Sequence, residues 1–556
     1  MSKKNLTFLV LIVIFSVFLR LWYIDKPQGL WNDEYISWFI ASQKFPDEFF
    51  DAIIKNCHMP FYYFYLKLWS ILFSDSDLSL RLSSLLPGVL SVISMFFVGK
   101  VYKDEKTGLL CALITAISGF LIYFSQEVRF YILLFFFSSL NLLCWILINK
   151  KQSFVNFLFF TLMNLLILVT HTIGFVFVFF NLIFLAFFLR SKDLRNRKFV
   201  KIISLFLFFV VLILSPFILQ VFKESYVSQF WSAFSVSKLF FIITDYFSPV
   251  QINIVTTPNN LEDILFKNNH LNIMFVIFAM IPTVLALIGF INSFRIKDKL
   301  LYYLFFPSLC YFMILVLASV LGKLVLITKY AIEIYPILLL LITVGFLAIK
   351  NEKLKKILIS LYLFISLFYI IVNNNSAPKL GRSEGNKQIA DLITVSKLSN
   401  KDIILLTYYS SDKVLKYMNI TDYPRFYYID KYNFTKYFPL DNLSYKEVIQ
   451  NGKYILFENF KINDSRYFNK KFYFDYIKTL KKGDKLAIIF LKNVCFISKD
   501  KMMEMELESD AYKQTSLVFL IFSYIKNNAI DLAARHLKFV SATESGDWFI
   551  IVFEKQ

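Results

Sequence analysis

Long apolar segments alternate with short polar connections over the first 373 residues of the chain. Each apolar segment holds roughly 20 residues, the length at which an α-helix crosses the hydrocarbon core of a bilayer. The lengths exclude a transmembrane β-barrel, whose strands are shorter and alternate. We predict a polytopic α-helical membrane protein with about 11 transmembrane helices, at residues 6–24, 78–99, 108–124, 130–148, 153–170, 173–189, 202–221, 271–293, 300–321, 330–349 and 357–373.

Lys and Arg in the connections predict the orientation of these helices. Short cytoplasmic connections are the ones enriched in Lys and Arg. If Lys3 and Lys4 lie inside, every second connection is also inside and strongly basic, namely 100–106, 149–151, 190–201, 294–299 and 350–356. We therefore expect a multi-pass protein of the plasma membrane with a cytoplasmic N-terminus and an extracytoplasmic C-terminal region.

The character of the chain changes after residue 373. Residues 373–387 contain turn and linker residues, and the remaining chain is charged. Strand-like and helical patterns then alternate, with strands predicted at 402–409, 453–460, 485–493 and 548–555 and helices at 384–398 and 516–539. We predict two domains, a transmembrane module at 1–373 and an extracytoplasmic α/β domain at 374–556.

Composition and charge narrow the function classes. Hydrophobic residues make up 57% of the chain and charged residues 18%, and the formal net charge is +20. Most basic residues lie between apolar segments, so they report membrane topology, and we expect the lipid bilayer and no nucleic acid as a partner. The five cysteines form no CxxC or Cys/His spacing, which argues against a disulfide framework and a structural zinc.

The first external loop carries an acidic pair, Asp33 and Glu34, in the sequence WNDEYIS. At the membrane surface, a carboxylate would suit a substrate whose reactive group a lipid tail holds at headgroup depth. The alternative is structural: Asn32 caps a helix, and the two acidic residues lie at its positive end.

Other chemistry-bearing residues lie in separate segments that the predicted topology brings to the same external face. They are His58, Gln126, Glu127, Arg129, His171 and Lys329. Each has a structural alternative, such as a histidine at a helix end or a lysine that snorkels to the interface. Together, an acidic pair and cations suit the transfer of a group from a lipid phosphate to a hydroxyl, because a carboxylate removes the acceptor proton and cations neutralise the departing phosphate.

Five segments in order, WNDEYIS, HMPFYYFYLKLW, LRLSSLLPGVLSVISMFFVGK, YFSQEVRFYIL and TKYAIEIYPILLLL, resemble landmarks of bacterial GT-C glycosyltransferases related to protein O-mannosyltransferases and the lipid A aminoarabinose transferase. The resemblance covers about residues 6–350. It implies a membrane enzyme that takes a sugar from a polyprenyl-phosphate donor on the external face and inverts its anomeric centre. The acceptor would be an external glycan, lipid or protein hydroxyl.

By position, the resemblance implies that Asp33 is the family's loop aspartate, Glu34 its neighbouring acidic residue and Arg129 its turn arginine. Together with the chemistry of the separate segments, this gives a set of site residues. The catalytic set is Asp33 as base or acceptor-orienting group, with Glu34 and Glu127 supporting it or binding a metal. The substrate-binding set is His58, Gln126, Arg129, Tyr131, His171, Lys329 and Tyr330. Where the family often has Arg-Tyr, this chain has Lys329 and Tyr330, and Lys supplies a point charge instead of a bidentate fork.

Three alternatives stay open at this stage. A monophosphate donor needs only Arg and Lys, whereas a pyrophosphate donor favours a divalent cation; we expect no obligatory metal. A transporter or flippase for a lipid-linked sugar would place its charges at the bilayer midplane and often shows an inverted repeat. A non-catalytic member would use the same surfaces to bind glycan as a scaffold.

Overall fold

A computed structural model describes residues 1–22, 24–25, 29–30, 32–56, 58–189, 270–295, 299–321, 326–376, 395–396, 403–406, 425–428, 481–491, 537–545 and 548–555, with isolated positions between 203 and 246. The chain divides into two compact units. One comprises Met1–Pro27 and Asn32–Ser383, and the other comprises Gln28–Trp31 and Glu384–Gln556. In the described residues the first unit is helical and the second contains strands.

Three helices between residues 32 and 72 lie outside the predicted spans, and the other described helices of the first unit follow the predicted apolar segments closely. Their bounds are α1 Lys3–Leu21, α2 Asn32–Ser42, α3 Asp47–Lys55, α4 Pro60–Leu72, α5 Asp77–Tyr102, α6 Glu105–Ala116, α7 Gly119–Phe124, α8 Tyr131–Lys150, α9 Phe154–Thr170, α10 Gly174–Leu189, α11 His270–Arg295, α12 Lys299–Val320, a 3₁₀ helix Thr328–Ile334, α13 Tyr335–Ala348 and α14 Glu352–Ser376. The predicted span 202–221 lies outside the described residues apart from isolated positions.

Five of the described helical segments are long and apolar enough to cross a membrane. They are α1, α5, α8, most of α12, and the 3₁₀ helix together with α13. Shorter apolar helices occur at Phe154–Thr170, Gly174–Leu189 and Ala279–Ser293. The protein is therefore a helical membrane protein, and the total of eleven spans stays a prediction.

Side-chain caps set where several helices begin. Ser2, Ser76 and Ser153 each accept a hydrogen bond from the amide three residues on, which satisfies a donor that the first turn leaves free. At the start of α6, Oδ1 of Asp104 accepts from the amide of Thr107 at 2.8 Å. Local chemistry thus fixes helix starts that hydropathy alone places only approximately.

Two of the predicted spans are not continuous α-helices. The span 108–124 is interrupted at Ile117 and Ser118, where Ser118 caps the short helix α7. The span 330–349 begins as a 3₁₀ helix with a kink at Ala331 before α13 starts at Tyr335. An apolar run reports burial in the membrane but not helix continuity, so the sequence pattern could not show either break.

Helices α11 and α13 pack with their backbones in close contact. A Cβ on Gly345 would lie 2.0 Å from the carbonyl oxygen of Leu285, and one on Gly289 would lie 2.1 Å from that of Leu341. Only glycine permits this approach, which is typical of helix pairs in membranes. The contact anchors α13, which directly follows the 3₁₀ helix that carries Lys329.

The second unit contains a five-stranded sheet, with β1 Ile403–Leu406, β2 Arg425–Tyr428, β3 Lys485–Leu491, β4 Leu537–Ser545 and β5 Trp548–Lys555. The strand order is β2-β1-β3-β5-β4. Strands β2, β1 and β3 run parallel, whereas β5 is antiparallel to both β3 and β4. Ala487, Ile550 and Val552 are buried, and the alternation of Ile550 and Val552 on β5 marks one face as the core side.

Strands β1, β3 and β5 coincide with predicted strands, while β2 and β4 were not predicted. The helix predicted at 516–539 is wrong at its end, because Leu537–Phe539 pair with β5 as the start of β4. Cross-strand pairing over-rides the local helical pattern there. The predicted strand at 453–460 lies outside the described residues, as does the helix at 384–398 apart from two of its residues.

Candidate functional site

Asp33 lies in the first turn of α2, a short helix that follows the first membrane helix. Its side chain is 19% exposed, so it is neither solvated nor fully enclosed. Its backbone carbonyl accepts a hydrogen bond from the Ser37 hydroxyl at 3.0 Å, within the same helix. Asp33 is therefore held at the start of a helix with its carboxylate still accessible.

Two cations from distant segments converge on one oxygen of Asp33. Lys329 Nζ lies 3.3 Å and Arg129 Nη2 lies 3.4 Å from Asp33 Oδ2. Burial acts to raise the pKa of Asp33, but the charges of Arg129 and Lys329 outweigh burial and lower the pKa to about 2. Asp33 is consequently ionised at neutral pH, inside a cluster whose two cations exceed its own charge.

The guanidinium of Arg129 is fixed by further contacts on α2. Its Nη1 atom donates to the backbone oxygen of Asp33 at 3.3 Å and lies 3.3 Å from the Ser37 hydroxyl. Its Cζ atom lies 5.4 Å from the centre of the Phe130 ring. A planar group with five donors can make these contacts and still bind an anion, which a lysine could not do.

The turn that carries Arg129, residues 125–130, is buried throughout. Gln126 Nε2 donates to the carbonyl oxygens of Arg20 and Trp22 at the end of α1, at 2.9 and 2.8 Å. The Ser84 hydroxyl of α5 donates to the carbonyl of Glu127 at 2.5 Å. The polar residues of this turn are therefore bonded to the neighbouring helices and fix the backbone of Arg129.

Arg20 attaches the same turn to α1. Its buried guanidinium donates to the hydroxyls of Ser125 and Ser16 at 3.1 and 2.6 Å, and to the carbonyl of Ala116 at 3.0 Å. A buried charge in a membrane protein costs free energy unless it is hydrogen-bonded in this way. Gly88 of α5 lies so close to Ser125 that a Cβ on Gly88 would be 2.2 Å from Ser125 Oγ. Helix α5 therefore also packs onto the turn.

Glu34 forms a buried ion pair with Arg81 of α5. The two pair in the bidentate manner, with Nε to Oε1 at 3.0 Å and Nη2 to Oε2 at 2.8 Å, and both side chains are at most 1% exposed. The amide of Val128 also donates to Glu34 Oε1 at 3.1 Å. Both carboxylate oxygens are engaged, which favours the supporting role for Glu34 over the role of metal ligand.

Aromatic rings form the wall beside the charged cluster. His58 stacks on Tyr63, with ring centres 5.3 Å apart, and its ring centre lies 6.1 Å from that of Phe130. Burial, and then the charge of Arg129, hold the pKa of His58 well below its usual range, so the ring is neutral at pH 7. A neutral imidazole can accept or donate a hydrogen bond without adding charge.

Tyr131, Tyr330 and His171 complete the wall near Lys329. The ammonium of Lys329 lies 5.4 Å from the ring centre of Tyr131 and 5.8 Å from that of Tyr330. The His171 ring is 5.6 Å from Tyr330 and 4.9 Å from Phe130. The structure therefore brings residues from five separate segments into one cluster.

The structure brings some of the residues inferred from the sequence together and leaves others apart. The segments containing Asp33, His58, Arg129, His171 and Lys329 meet, with Tyr131 and Tyr330 beside them; Gln126 points to α1 instead, and Glu127 is buried. Their chemical roles stay predictions. In the part of the chain that the structure describes, no group of three or more His, Cys, Asp or Glu side chains is arranged to hold a metal ion.

Arg81 is the main site residue that the sequence analysis missed. A single arginine inside the apolar segment 78–99 is itself a signal, because a charge in a membrane span requires a partner. Its partner, Glu34, lies 47 positions away and belongs to another predicted element. The same reasoning applies to Glu333, which lies in a segment that was predicted to span the membrane.

Comparison with known proteins shows the family resemblance of this architecture. Residues 57–219 match the family model described as dolichyl-phosphate-mannose-protein mannosyltransferase. Among curated protein sequences, none matches the chain. The matched segment runs from the His58 region through the turn of Arg129 and past His171.

Solved structures show the fold. The chain superposes on ArnT from Cupriavidus metallidurans bound to undecaprenyl phosphate with a TM-score of 0.52 and 11% identity, covering 100% of this chain and 99% of that one. It also matches the oligosaccharyltransferase AglB from Archaeoglobus fulgidus, in complex with an inhibitory peptide and a dolichol-phosphate, with a TM-score of 0.40 and 13% identity over 70% of this chain. The chain spans 57% of the length of that oligosaccharyltransferase. The protein has the GT-C fold and resembles the ArnT and protein mannosyltransferase group.

Proposed function

We propose that this GT-C protein transfers a sugar from a polyprenyl-phosphate donor to a hydroxyl of an external glycan, lipid or protein, with inversion at the anomeric carbon. The observation that carries the proposal is the contact of one accessible carboxylate, Asp33, with two cations from distant segments, Arg129 and Lys329. A base and an anion-binding pair within one cluster are the two parts that this reaction requires.

Asp33 is the proposed base. Its Oδ2 atom contacts both cations, which leaves Oδ1 to face an acceptor hydroxyl. In the absence of substrate the pKa of about 2 makes Asp33 a weak base. A donor phosphate that binds Arg129 and Lys329 shares their charge, and this raises the basicity of the carboxylate when the acceptor must be deprotonated.

Arg129 and Lys329 are the proposed ligands of the donor phosphate. During transfer the bond between C1 of the sugar and the phosphate oxygen breaks, and the lipid phosphate gains a negative charge. The acceptor oxygen bonds to C1 from the opposite face, and its proton passes to Asp33. Two cations fixed in advance by Ser37, Phe130 and the Tyr rings stabilise the departing phosphate without reorganisation.

The remaining site residues position these groups. Gln126 and the Glu34–Arg81 ion pair hold the turn of Arg129 and the start of α2 against the membrane helices. His58, Tyr131 and Tyr330 line the site, and a flat aromatic wall suits the apolar face of a sugar ring. Glu127 is buried and holds the turn through its backbone carbonyl, which accepts from the Ser84 hydroxyl. The basic connections in the sequence predict that the site lies on the extracytoplasmic face.

Mass spectrometry of the cell envelope tests the proposal most directly. Glycans, envelope lipids and envelope proteins are compared between cells with the protein, cells without it, and cells that carry only the Asp33→Asn variant. We expect one sugar substituent to disappear in the absence of the protein and to stay absent with Asp33→Asn. The mass and attachment point of that substituent identify the sugar and the acceptor together.

An identical envelope composition in all three strains would contradict the enzyme proposal. The alternatives give different patterns. A flippase for a lipid-linked sugar changes the sidedness of the lipid carrier, and the purified protein forms no glycosidic bond. A glycan-binding scaffold leaves all covalent sugars in place. Sugar transfer by purified protein in nanodiscs therefore separates the enzyme from both.

A further inference from the structure

The 3₁₀ helix Thr328–Ile334, which carries Lys329, does not have regular helical geometry. Ala331 within it has φ −113° and ψ 24°, and its N-cap residue, Ile327, has no polar side chain. In a membrane protein, backbone that leaves the regular helical pattern is tolerated where it is buried in protein, because other groups of the protein then bond its polar atoms. The carbonyl groups on either side of Lys329 therefore need partners from other segments.

Tyr246, which lies between α10 and α11 in the chain, supplies the first of these partners. Its hydroxyl donates to the carbonyl of Ala331 and lies 3.3 Å from the carbonyl oxygen of Thr328. Tyr246 is buried, and its own backbone carbonyl accepts from the Tyr335 hydroxyl at 2.8 Å. The two tyrosine rings stack with their centres 5.0 Å apart. The first residue of α13 thus holds Tyr246 in place beside the 3₁₀ helix.

Tyr311 of α12 supplies the second partner. Its hydroxyl donates to the carbonyl of Tyr330 at 2.6 Å and, at the longer distance of 3.1 Å, to Glu333 Oε2. Its side chain is buried, and its ring lies edge-on to the ring of Phe177 on α10, with centres 5.6 Å apart. The 3₁₀ helix is therefore bonded by two tyrosine hydroxyls that come from two separate segments.

These bonds fix the backbone on both sides of Lys329. Tyr246 contacts the carbonyl that precedes Lys329, and the two tyrosines together bond the two carbonyls that follow it. A lysine side chain is long and flexible, so its position depends on its backbone and on the surfaces beside it. Tyr311 also controls one of those surfaces, because it bonds the backbone of Tyr330, whose ring centre lies 5.8 Å from the Lys329 ammonium. Under these constraints the ammonium lies 3.3 Å from Asp33 Oδ2.

We propose that Tyr246 and Tyr311 are positioning residues, which hold the Lys329 ammonium where it meets the lipid phosphate and Asp33. The inference rests on the proposed function and deepens it. Both hydroxyls bond to backbone carbonyls of the 3₁₀ helix, so they act on the phosphate through Lys329. An error of about 1 Å in such a placement can cost on the order of 10²-fold in rate. Removal of either hydroxyl should release Lys329 without removing its charge.

Acetylation of individual lysines tests the placement without any substrate. The full chain in nanodiscs is treated briefly with acetic anhydride, and mass spectrometry gives the rate at each lysine. In the parent, Lys329 should react more slowly than the exposed Lys353, because its side chain is only 16% exposed and is paired with Asp33. In Tyr246→Phe and in Tyr311→Phe, the rate at Lys329 should rise several-fold.

Lys67 serves as an internal control for general loosening of the protein. Its ammonium donates to the carbonyls of Ala41 and Gln43 at the end of α2, at 2.9 and 2.6 Å. Neither tyrosine contacts these groups. The acetylation rate of Lys67 should therefore be the same in the parent and in both tyrosine variants.

Tyr65→Phe is the matched control substitution. The Tyr65 hydroxyl of α4 donates to the carbonyl of Ser83 at 2.6 Å, which is the length of the bond from Tyr311 to the 3₁₀ helix. The substitution removes a comparable hydrogen bond at a place that does not hold Lys329. This variant should keep Lys329 protected from acetylation and should bind undecaprenyl phosphate as the parent does.

Affinity for undecaprenyl phosphate connects the placement to the proposed site. Tyr246→Phe and Tyr311→Phe should each weaken binding on the order of tenfold, and by no more than Lys329→Gln does. In combination with Lys329→Gln, neither tyrosine substitution should weaken binding further, because the residue through which both act is then absent. A purely structural contribution would add to the loss that Lys329→Gln causes.

The pH dependence of transfer supplies a readout that a change in stability alone does not move. Burial raises the pKa of Asp33, and the charges of Arg129, Lys329 and the more weakly acting His58 lower it. Displacement of Lys329 therefore raises the pKa of Asp33. Transfer by Tyr311→Phe should decline at a higher pH than transfer by the parent, in the same direction as for Lys329→Gln.

The acetylation rates and the binding losses decide the proposal. Acetylation of Lys329 in the parent as fast as that of Lys353 would overturn it, and this result needs no variant to fold. Unchanged Lys329 acetylation in both tyrosine variants, a rise that Lys67 shares, or additive losses of lipid binding would overturn it as well. If the parent binds no undecaprenyl phosphate, the proposed donor class fails, and the acetylation rates still decide whether the tyrosines hold Lys329.

Discussion

Asp33 and Lys329 lie 296 positions apart in the chain, yet their charged atoms are 3.3 Å apart. One belongs to a short helix after the first membrane helix, and the other to a 3₁₀ helix that leads into α13. The same carboxylate oxygen also meets Arg129 at 3.4 Å. This convergence joins the first loop, the polar turn and the 3₁₀ helix before α13 into one cluster, although each segment has a structural interpretation alone.

Lys329→Gln should move the pH dependence of transfer. Asp33 must be ionised to act, and its pKa is held near 2 by Arg129 and Lys329. Loss of one cation raises the pKa of Asp33, so transfer by the variant should decline at a higher pH than transfer by the parent. Initial rates between about pH 4 and pH 7 measure this shift. Lys353→Gln, at an exposed lysine on α14, is the control and should follow the parent; coincident profiles for all three proteins would contradict the electrostatic coupling.

Arg129→Lys and Lys329→Arg should differ in their effect on the lipid phosphate. Arg129 contacts Asp33, Ser37 and the Phe130 ring through one planar group, and lysine cannot reproduce that set. We expect Arg129→Lys to weaken undecaprenyl phosphate binding on the order of tenfold. Lys329→Arg should retain or improve binding, because it keeps the charge and adds a bidentate fork at this position. Parental binding by the Arg129→Lys protein would show that Arg129 acts only as a point charge.

Glu34→Gln should chiefly destabilise the protein. The Glu34–Arg81 ion pair is fully buried, and the removal of one partner leaves the other charge uncompensated, at a cost of about 3–5 kcal/mol. Thermal unfolding in detergent measures this loss. Glu352→Gln breaks an exposed pair with Lys355 on α14 and should leave the unfolding temperature unchanged. A Glu34→Gln protein of parental stability that has lost transfer would instead assign Glu34 a chemical role.

The orientation makes a separate prediction that mutational kinetics cannot address. Single cysteines placed at Ala377 and Lys431 should react with a membrane-impermeant reagent in intact cells, whereas one at Arg195 should react only after the membrane is opened. The prediction follows from the alternation of basic connections. Labelling at Arg195 in intact cells, with Ala377 protected, would put the site on the cytoplasmic face.

Membrane helices were predicted well because hydrophobicity along the chain and burial in a bilayer are the same physical property. The interruptions of these helices were not predicted, since the break at Ser118 and the kink at Ala331 arise from capping and packing inside apolar runs. In the second unit, β4 was not predicted from the sequence, because its pairing with β5 overrides a local helical pattern. The apolar pattern of a segment therefore indicates its burial in the membrane more reliably than it indicates an unbroken helix.

The site was likewise predicted only in part. Asp33, Arg129 and Lys329 could be singled out because the predicted topology brings their separate segments to the same external face. The pairing of Arg81 with Glu34 and of His171 with Glu333 could not be predicted, because each joins two helices at a distance that no local pattern encodes. The substrate-binding role of Gln126 stays a prediction, and its amide donates to the end of α1. Knowledge of which helices are neighbours is what the structure adds.

The Asp33→Asn variant tests the central assignment most directly. Asn keeps the shape of the side chain but cannot accept the acceptor proton, so transfer should fall on the order of 10²-fold or more while expression and undecaprenyl phosphate binding are retained. Asp51→Asn, at an exposed carboxylate on the neighbouring helix α3, should transfer at the parental rate. The decisive measurement is the sugar-transfer rate of purified, folded Asp33→Asn protein in nanodiscs. A large loss supports Asp33 as the base, and a rate close to that of the parent would contradict it.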